Sequence, residues 1–197
     1  MNSLNRSVFV AVPGVAQTYD AVTIRLHWIT AALVAVLWGI AQIIDFFPKG
    51  SAKIAVRSLH ILPGAVLTLV LLARFYWRMR HGRRLPPENP GILGYLAQGT
   101  HYLLYVALAA TVALGLANVW VRGDTITGLL TVPQFAPGDQ ALKRLVEGLH
   151  GNFANAILIV ACLHAAAALF HQYVLRDTVL SRMLPGRYGR LTNRRDR

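Results

Sequence analysis

Apolar positions along this chain gather into four long stretches, and most of the charge lies between them or at the termini. The stretches run from Val22 to Ile44, Ser58 to Tyr76, Tyr95 to Trp120 and Glu147 to Leu175. Each reaches or approaches the ~20 residues a helix needs to cross a bilayer. Backbone polar groups in hydrocarbon must be satisfied within their own segment, which selects helices over open strands. The intervening "DFFPKGSAKIAVR" (45–57) reads as a short loop. "HGRRLPPENPGILG" (81–94) reads as a link whose prolines prevent a continuous helix. Residues 121–146 form the longest connection; its "VPQFAPGD" segment turns, and "DQALKRLVEGLH" then begins a helix with Asp139 as N-cap. Successive helices alternate in direction. The expected fold is an all-α integral membrane protein, an up-down-up-down bundle of four transmembrane helices. Residues 21–176 form its one domain, between an amino-terminal tail (1–20) and a basic carboxy-terminal tail (177–197).

Composition agrees with this pattern: 55% of residues are hydrophobic and 14% charged, against about 25% charged in an ordinary soluble domain. The segment "VFVAVPGVA" (8–16) is short and interrupted by Pro13 and Gly14, so no cleaved signal is expected. A single cysteine, Cys162, excludes an intramolecular disulfide. The net charge of +12 suggests nucleic acid until the charges are placed. Fourteen of the 20 basic residues fall in the two tails, at the start of the first span, and around the link between spans two and three. The other six are Lys49, Lys53, Arg57, Arg122, Lys143 and Arg144, on the opposite side. This bias puts both termini in the cytoplasm, so the charge encodes orientation and attraction to the lipid bilayer rather than nucleic-acid binding.

The fourth stretch carries His150, His164 and His171. A histidine in hydrocarbon is expensive unless its ring nitrogens find partners. From His150 to His164 the helix turns about 1400°, within roughly 40° of four whole turns, and rises about 21 Å. His171 returns to nearly the same face two turns later. His27 lies early in the first helix, near the inner side, and His60 early in the second, near the outer side. Depth alone therefore pairs His60 with His150 and His27 with His164. Two haems stacked across a membrane need axial ligands at about that separation. An iron held by two imidazoles has no open position for oxygen, which implies electron transfer. The alternatives are packing or relay histidines, and a bare metal, which no cysteine or carboxylate is present to complete.

The motifs "RLHW" (25–28), "FFPKG" (46–50), "LHILPG" (59–64), "GLLTVP" (128–133), "LHGNFAN" (149–155) and "CLHAAAALFHQYVLRDTVLSRMLP" (162–185) resemble the bacterial cytochrome b561 family, which includes membrane superoxide oxidases. The resemblance covers Tyr19 to Pro185 and implies two b-type haems in a bacterial inner-membrane protein. It puts the axial ligands at His27, His60, His150 and His164, in agreement with the depth pairing. Thr23 and His171 then converge between the inner haem and the cytoplasm, where the resemblance points to ubiquinone. A histidine facing lipid headgroups is the rival reading of His171. Arg74, fourteen residues after His60, is expected to pair with an inner haem propionate, to line the quinone pocket, or to snorkel to the interface. Lone His101 in the third helix reads as a packing or interhelical hydrogen-bond residue, with a ligand as the alternative. Lys49, Lys53, Arg57, Lys143 and Arg144 flank the outer pair and could steer a small anionic donor such as superoxide; solvated loop charge is the alternative. The expected function is superoxide oxidation with ubiquinone reduction. Its rivals are a cytochrome subunit serving a separate dehydrogenase or hydrogenase, and a non-catalytic membrane anchor.

Overall fold

The computed structural model describes residues 18–83, 85–86 and 91–185; the expected tails before residue 18 and after residue 185 lie outside them. Four helices carry the described chain: α1 (Ala21–Ile43), α2 (Ser51–Arg80), α3 (Ile92–Arg122) and α4 (Gln140–Phe170). All four are long and apolar enough to cross a membrane, over spans of 26, 30, 31 and 36 residues once the turns continuing α1 and α4 are included. At ~1.5 Å per residue a 30-residue helix measures about 45 Å, more than the ~30 Å hydrocarbon core. Helix ends therefore stand among headgroups, where charge is tolerated. This is why α2 begins at Ser51, inside the stretch expected as a loop: Lys53 and Arg57 break the apolar pattern without breaking the helix. The start of α4 is fixed as expected by Asp139, whose carboxylate accepts from the Leu142 amide at 2.9 Å.

α1 packs chiefly along α2, and α3 along α4; lighter contacts between α2 and α3 and between α1 and α4 join the two helix hairpins. The buried core is Leu37, Leu67, Leu71, Ala107, Leu108 and Ile157. Ile157 stands seven residues from both His150 and His164, and Leu67 stands seven after His60. The core is thus an apolar layer about 10 Å along the axis from either histidine depth. Outward-facing leucines and valines remain open, Leu69 and Val106 each at 66% and Leu163 at 65%. Apolar surface of this extent belongs against lipid.

The α3–α4 connection holds a small feature with no sequence signal, an antiparallel pair of two-residue strands, β1 (Thr125–Ile126) and β2 (Leu130–Thr131). Gly123 makes the turn into it with φ +64°, and a Cβ there would lie 2.9 Å from Gln134 Cβ, so conformation and space both require glycine. Within the hairpin, the Thr127 amide donates to the buried Ser58 hydroxyl at 2.8 Å, fastening the hairpin to α2 two residues from His60. At the other end, α4 continues through a π-helical turn, His171–Leu175. Residues 177–185, expected as the start of the tail, are tied back: the Tyr19 amide donates to Arg182 O at 3.1 Å and Trp28 Nε1 to Met183 O at 2.8 Å. This end, where α1 begins and α2 ends, is the inner end of the expected orientation.

Candidate functional site

The helix pattern brings the four singled-out histidines into two facing pairs. At the outer depth, His60 of α2 and His150 of α4 lie with ring centres 6.1 Å apart and planes at 90°. At the inner depth, His27 of α1 and His164 of α4 lie 6.5 Å apart with planes at 72°. A metal–imidazole bond of about 2.0 Å, with a ring nitrogen about 1.2 Å from its ring centre, separates two rings on one ion by roughly 6.4 Å. Both pairs match that spacing. Among the described residues no group of three or more His, Cys, Asp or Glu could hold a metal ion, so the pairs suit an ion whose other ligands come from a macrocycle.

Neighbouring backbone orients the outer pair. His60 Nδ1 lies 3.1 Å from Leu37 O and His150 Nδ1 3.0 Å from Thr111 O. A carbonyl oxygen only accepts, so each Nδ1 carries the ring hydrogen and each Nε2 keeps its lone pair for an ion. Gly115 makes the His150 bond possible: a Cβ at that position would meet His150 Cε1 at 3.0 Å and Nδ1 at 3.4 Å.

The inner pair has different neighbours. Arg74 turns its guanidinium into the bundle, with Nη2 3.3 Å from His27 Nδ1 and its carbon 4.9 Å over the Tyr105 ring. It does not take the outward course of a snorkelling side chain. His101 packs its ring edge-on against His164, with ring centres 5.2 Å apart.

Thr23 and His171 both lie at the inner end, and each is engaged by a carboxylate that the sequence reading did not single out. Asp20, the N-cap of α1, accepts from the Thr23 amide at 2.9 Å and the Thr23 hydroxyl at 2.7 Å. It also accepts from Trp77 Nε1 at 2.8 Å and the Arg83 amide at 3.2 Å. Partial burial pushes the Asp20 carboxyl up, but these donors together outweigh it and bring it down to about 2. Asp177 accepts from His171 Nδ1 at 2.5 Å. No hydrogen bond joins Thr23 to His171 among the described residues. Asp20 had a legible cue, an Asp three residues before a Thr at a helix start; Asp177 had none.

Four of the five expected outer cations, Lys49, Lys53, Arg57 and Lys143, line a half-open cavity of about 330 Å³; Arg144 does not. Arg122 and Glu147 join the lining. Lys53 pairs with Asp45 at 2.9 Å, Arg57 with Asp124 at 3.4 Å, and Arg122 with Glu147 at 2.8 Å. Lys49 and Lys143 have no ion-pair partner among the described residues. Burial raises the Asp124 carboxyl against the opposing pull of Arg122 and Lys143.

A family model described as prokaryotic cytochrome b561 matches residues 18–186. "Cytochrome b561 homolog 1" of Escherichia coli (strain K12) is 30% identical over 172 residues, 86% of this chain and 98% of that protein. "Probable superoxide oxidase CybB" of Yersinia pestis is 29% identical over 174 residues, 87% of this chain and 98% of that protein. "Cytochrome b562" of Cereibacter sphaeroides is 30% identical over 176 residues, 84% of this chain and 94% of that protein.

Proposed function

The chain belongs to the prokaryotic cytochrome b561 family, a family of b-type haem electron carriers in bacterial membranes, and from that premise we propose that it is a superoxide:ubiquinone oxidoreductase. It carries two haem b groups in the inner membrane with both termini in the cytoplasm. His60 and His150 hold the outer haem, and His27 and His164 the inner. The observation that carries the reading is the pair of imidazole–imidazole spacings, 6.1 and 6.5 Å, at two depths of one bundle.

When bound, the haems supply one-electron transfer between the two faces. The protein's own residues do the rest. Leu37 O and Thr111 O fix the outer imidazoles, and the apolar layer around Leu67 and Ile157 keeps water from between the two depths. His27 cannot both bind iron through Nε2 and accept from Arg74 at Nδ1, because that Nδ1 then carries the ring hydrogen. With His27 ligated through Nε2, Arg74 would instead be the cation available to pair with a haem propionate at the inner depth.

At the outer face, Lys49 and Lys143 leave the cavity net positive and draw in a small anion. The name of the Yersinia pestis relative supports superoxide as that anion. At the inner face, Thr23 and His171 line the quinone head-group site, and His171 exchanges protons with it. Two superoxide anions give up one electron each and leave as dioxygen. One ubiquinone takes those two electrons with two cytoplasmic protons and leaves as ubiquinol.

The test is stopped-flow mixing of the purified oxidised protein with superoxide, with and without a ubiquinone analogue. The reading predicts haem reduction faster than spontaneous dismutation, followed by re-oxidation when quinone is present. Haems inert to superoxide, in a protein that co-purifies with a larger redox partner, would replace it with the subunit serving a separate dehydrogenase or hydrogenase.

A further inference from the structure

Resting on the proposed quinone site, we infer that Asp177 is the positioning residue that fixes the His171 ring through Nδ1, and that this pair hands a proton to the quinone. The chain is built around that contact. The helix ends there in a π-helical turn, His171–Leu175, and such turns are frequent at functional sites. Arg176 follows in the left-handed region at φ +56° and brings residue 177 back onto His171. The Asp177 amide donates to His171 O at 3.2 Å. One carboxylate oxygen accepts from His171 Nδ1 at 2.5 Å and the other from the Val179 amide at 3.1 Å. Both side chains are mostly buried, with 20% and 17% of their surface open.

Hydrogen-bond inventory then decides which group can give a proton. The Thr23 hydroxyl spends its one hydrogen on Asp20 at 2.7 Å, so towards a ligand its oxygen only accepts. That suits the hydroxyl of a quinol and not the carbonyl of a quinone. Between Thr23 and His171, the donor left for a quinone carbonyl is His171 Nε2. Nδ1 already carries a hydrogen towards Asp177, so Nε2 donates only when the ring is an imidazolium. The Asp177 carboxylate, in contact with Nδ1, keeps Nε2 as the ring nitrogen that faces the ligand.

The proton transfer balances as follows. As the quinone receives its two electrons from two superoxide anions, the Nε2–H bond breaks and an O–H bond forms on the nearer quinone oxygen. The second proton comes from the cytoplasm and reaches the farther oxygen through water. His171 is left neutral with Nδ1–H still held by Asp177, and a second cytoplasmic proton, carried by water at the inner face, reloads Nε2. Thr23 accepts from a quinol hydroxyl, so the site fits the protonated product.

The experiment uses the full-length haem-loaded protein and the variants Asp177→Asn and His171→Ala. Asparagine still offers an oxygen to Nδ1–H but removes the charge. Asp177→Asn is expected to leave the haem spectrum and the quinone-free reduction by superoxide unchanged. Its kcat for quinone reduction should fall by about 10²-fold, the scale of a lost general acid, with a far smaller change in the KM for quinone. Native rates in Asp177→Asn, with His171→Ala slow, overturn the inference and leave the quinone site standing. Native quinone reduction in His171→Ala overturns the quinone-site reading itself. Should Asp177→Asn lose haem, the native protein decides: re-oxidation by quinone slows in deuterium oxide, and equal rates in both solvents overturn the proposal.

Discussion

Gly115 offers a sharp test of how the outer depth is built. In Gly115→Ala the new Cβ would stand 3.0 Å from His150 Cε1 and 3.4 Å from Nδ1, closer than ordinary carbon contacts, and the three nearest atoms all belong to that ring. The imidazole must retreat by several tenths of an ångström, out of a bond to Thr111 O that is 3.0 Å long. A hydrogen bond of this kind contributes about 1 kcal/mol net, and loss of an outer partner of a metal ligand lowers affinity by about 10- to 100-fold. Alanine at a helical position favours the helix over glycine by about 1 kcal/mol, so a deficit in the variant cannot be ascribed to a weaker α3. Redox titration of the purified variant, followed in the visible haem bands, is the assay. The outer centre is expected to lose occupancy or shift in potential while the inner one keeps its native behaviour. Equal damage to both centres, or none to either, would refute the reasoning.

Further consequences are as specific. Arg74→Gln removes a cation beside the inner pair, and a nearby cation favours the reduced, more electron-rich centre; the inner potential should fall and the outer stay, as read by the same titration. Asp20 has a depressed carboxyl in the folded state, about 2 against an ordinary 3.8. Its contribution to stability is therefore complete above pH 3.8 and lost as pH falls through about 2. Thermal unfolding in detergent between those values should show Asp20→Asn less acid-sensitive than the native chain. Lys143→Glu, in the outer cavity, should slow haem reduction by superoxide and flatten its dependence on salt, which screens charges beyond about 10 Å at 0.1 M.

Much of this architecture was legible because a helix converts sequence spacing into position. Fourteen residues between His150 and His164 fixed one face and two depths, and the direction of each helix sorted His27 and His60 between them. The helix starts were less legible. α2 begins seven residues before its apolar stretch does, because Lys53 and Arg57 sit at headgroup depth where charge no longer ends a span. The hairpin at Thr125–Thr131 is not legible in the sequence because strands of two residues show no alternation. Gly115 carries no sequence signal, because its need for glycine comes from the His150 ring of another helix. Asp177 lies past the end of the periodic pattern, and only the π-helical turn brings it onto His171. Carboxylates that act through a turn leave no spacing to read.

The central claim is that two irons sit at two depths, each held between imidazoles of different helices. Haem extraction as the pyridine complex, set against protein mass, measures it most directly when done for the native chain, His150→Ala and His164→Ala. The account predicts two b-type haems per chain in the native protein and one in each variant, with a different centre missing from each. One haem in the native protein, or two in either variant, would contradict it.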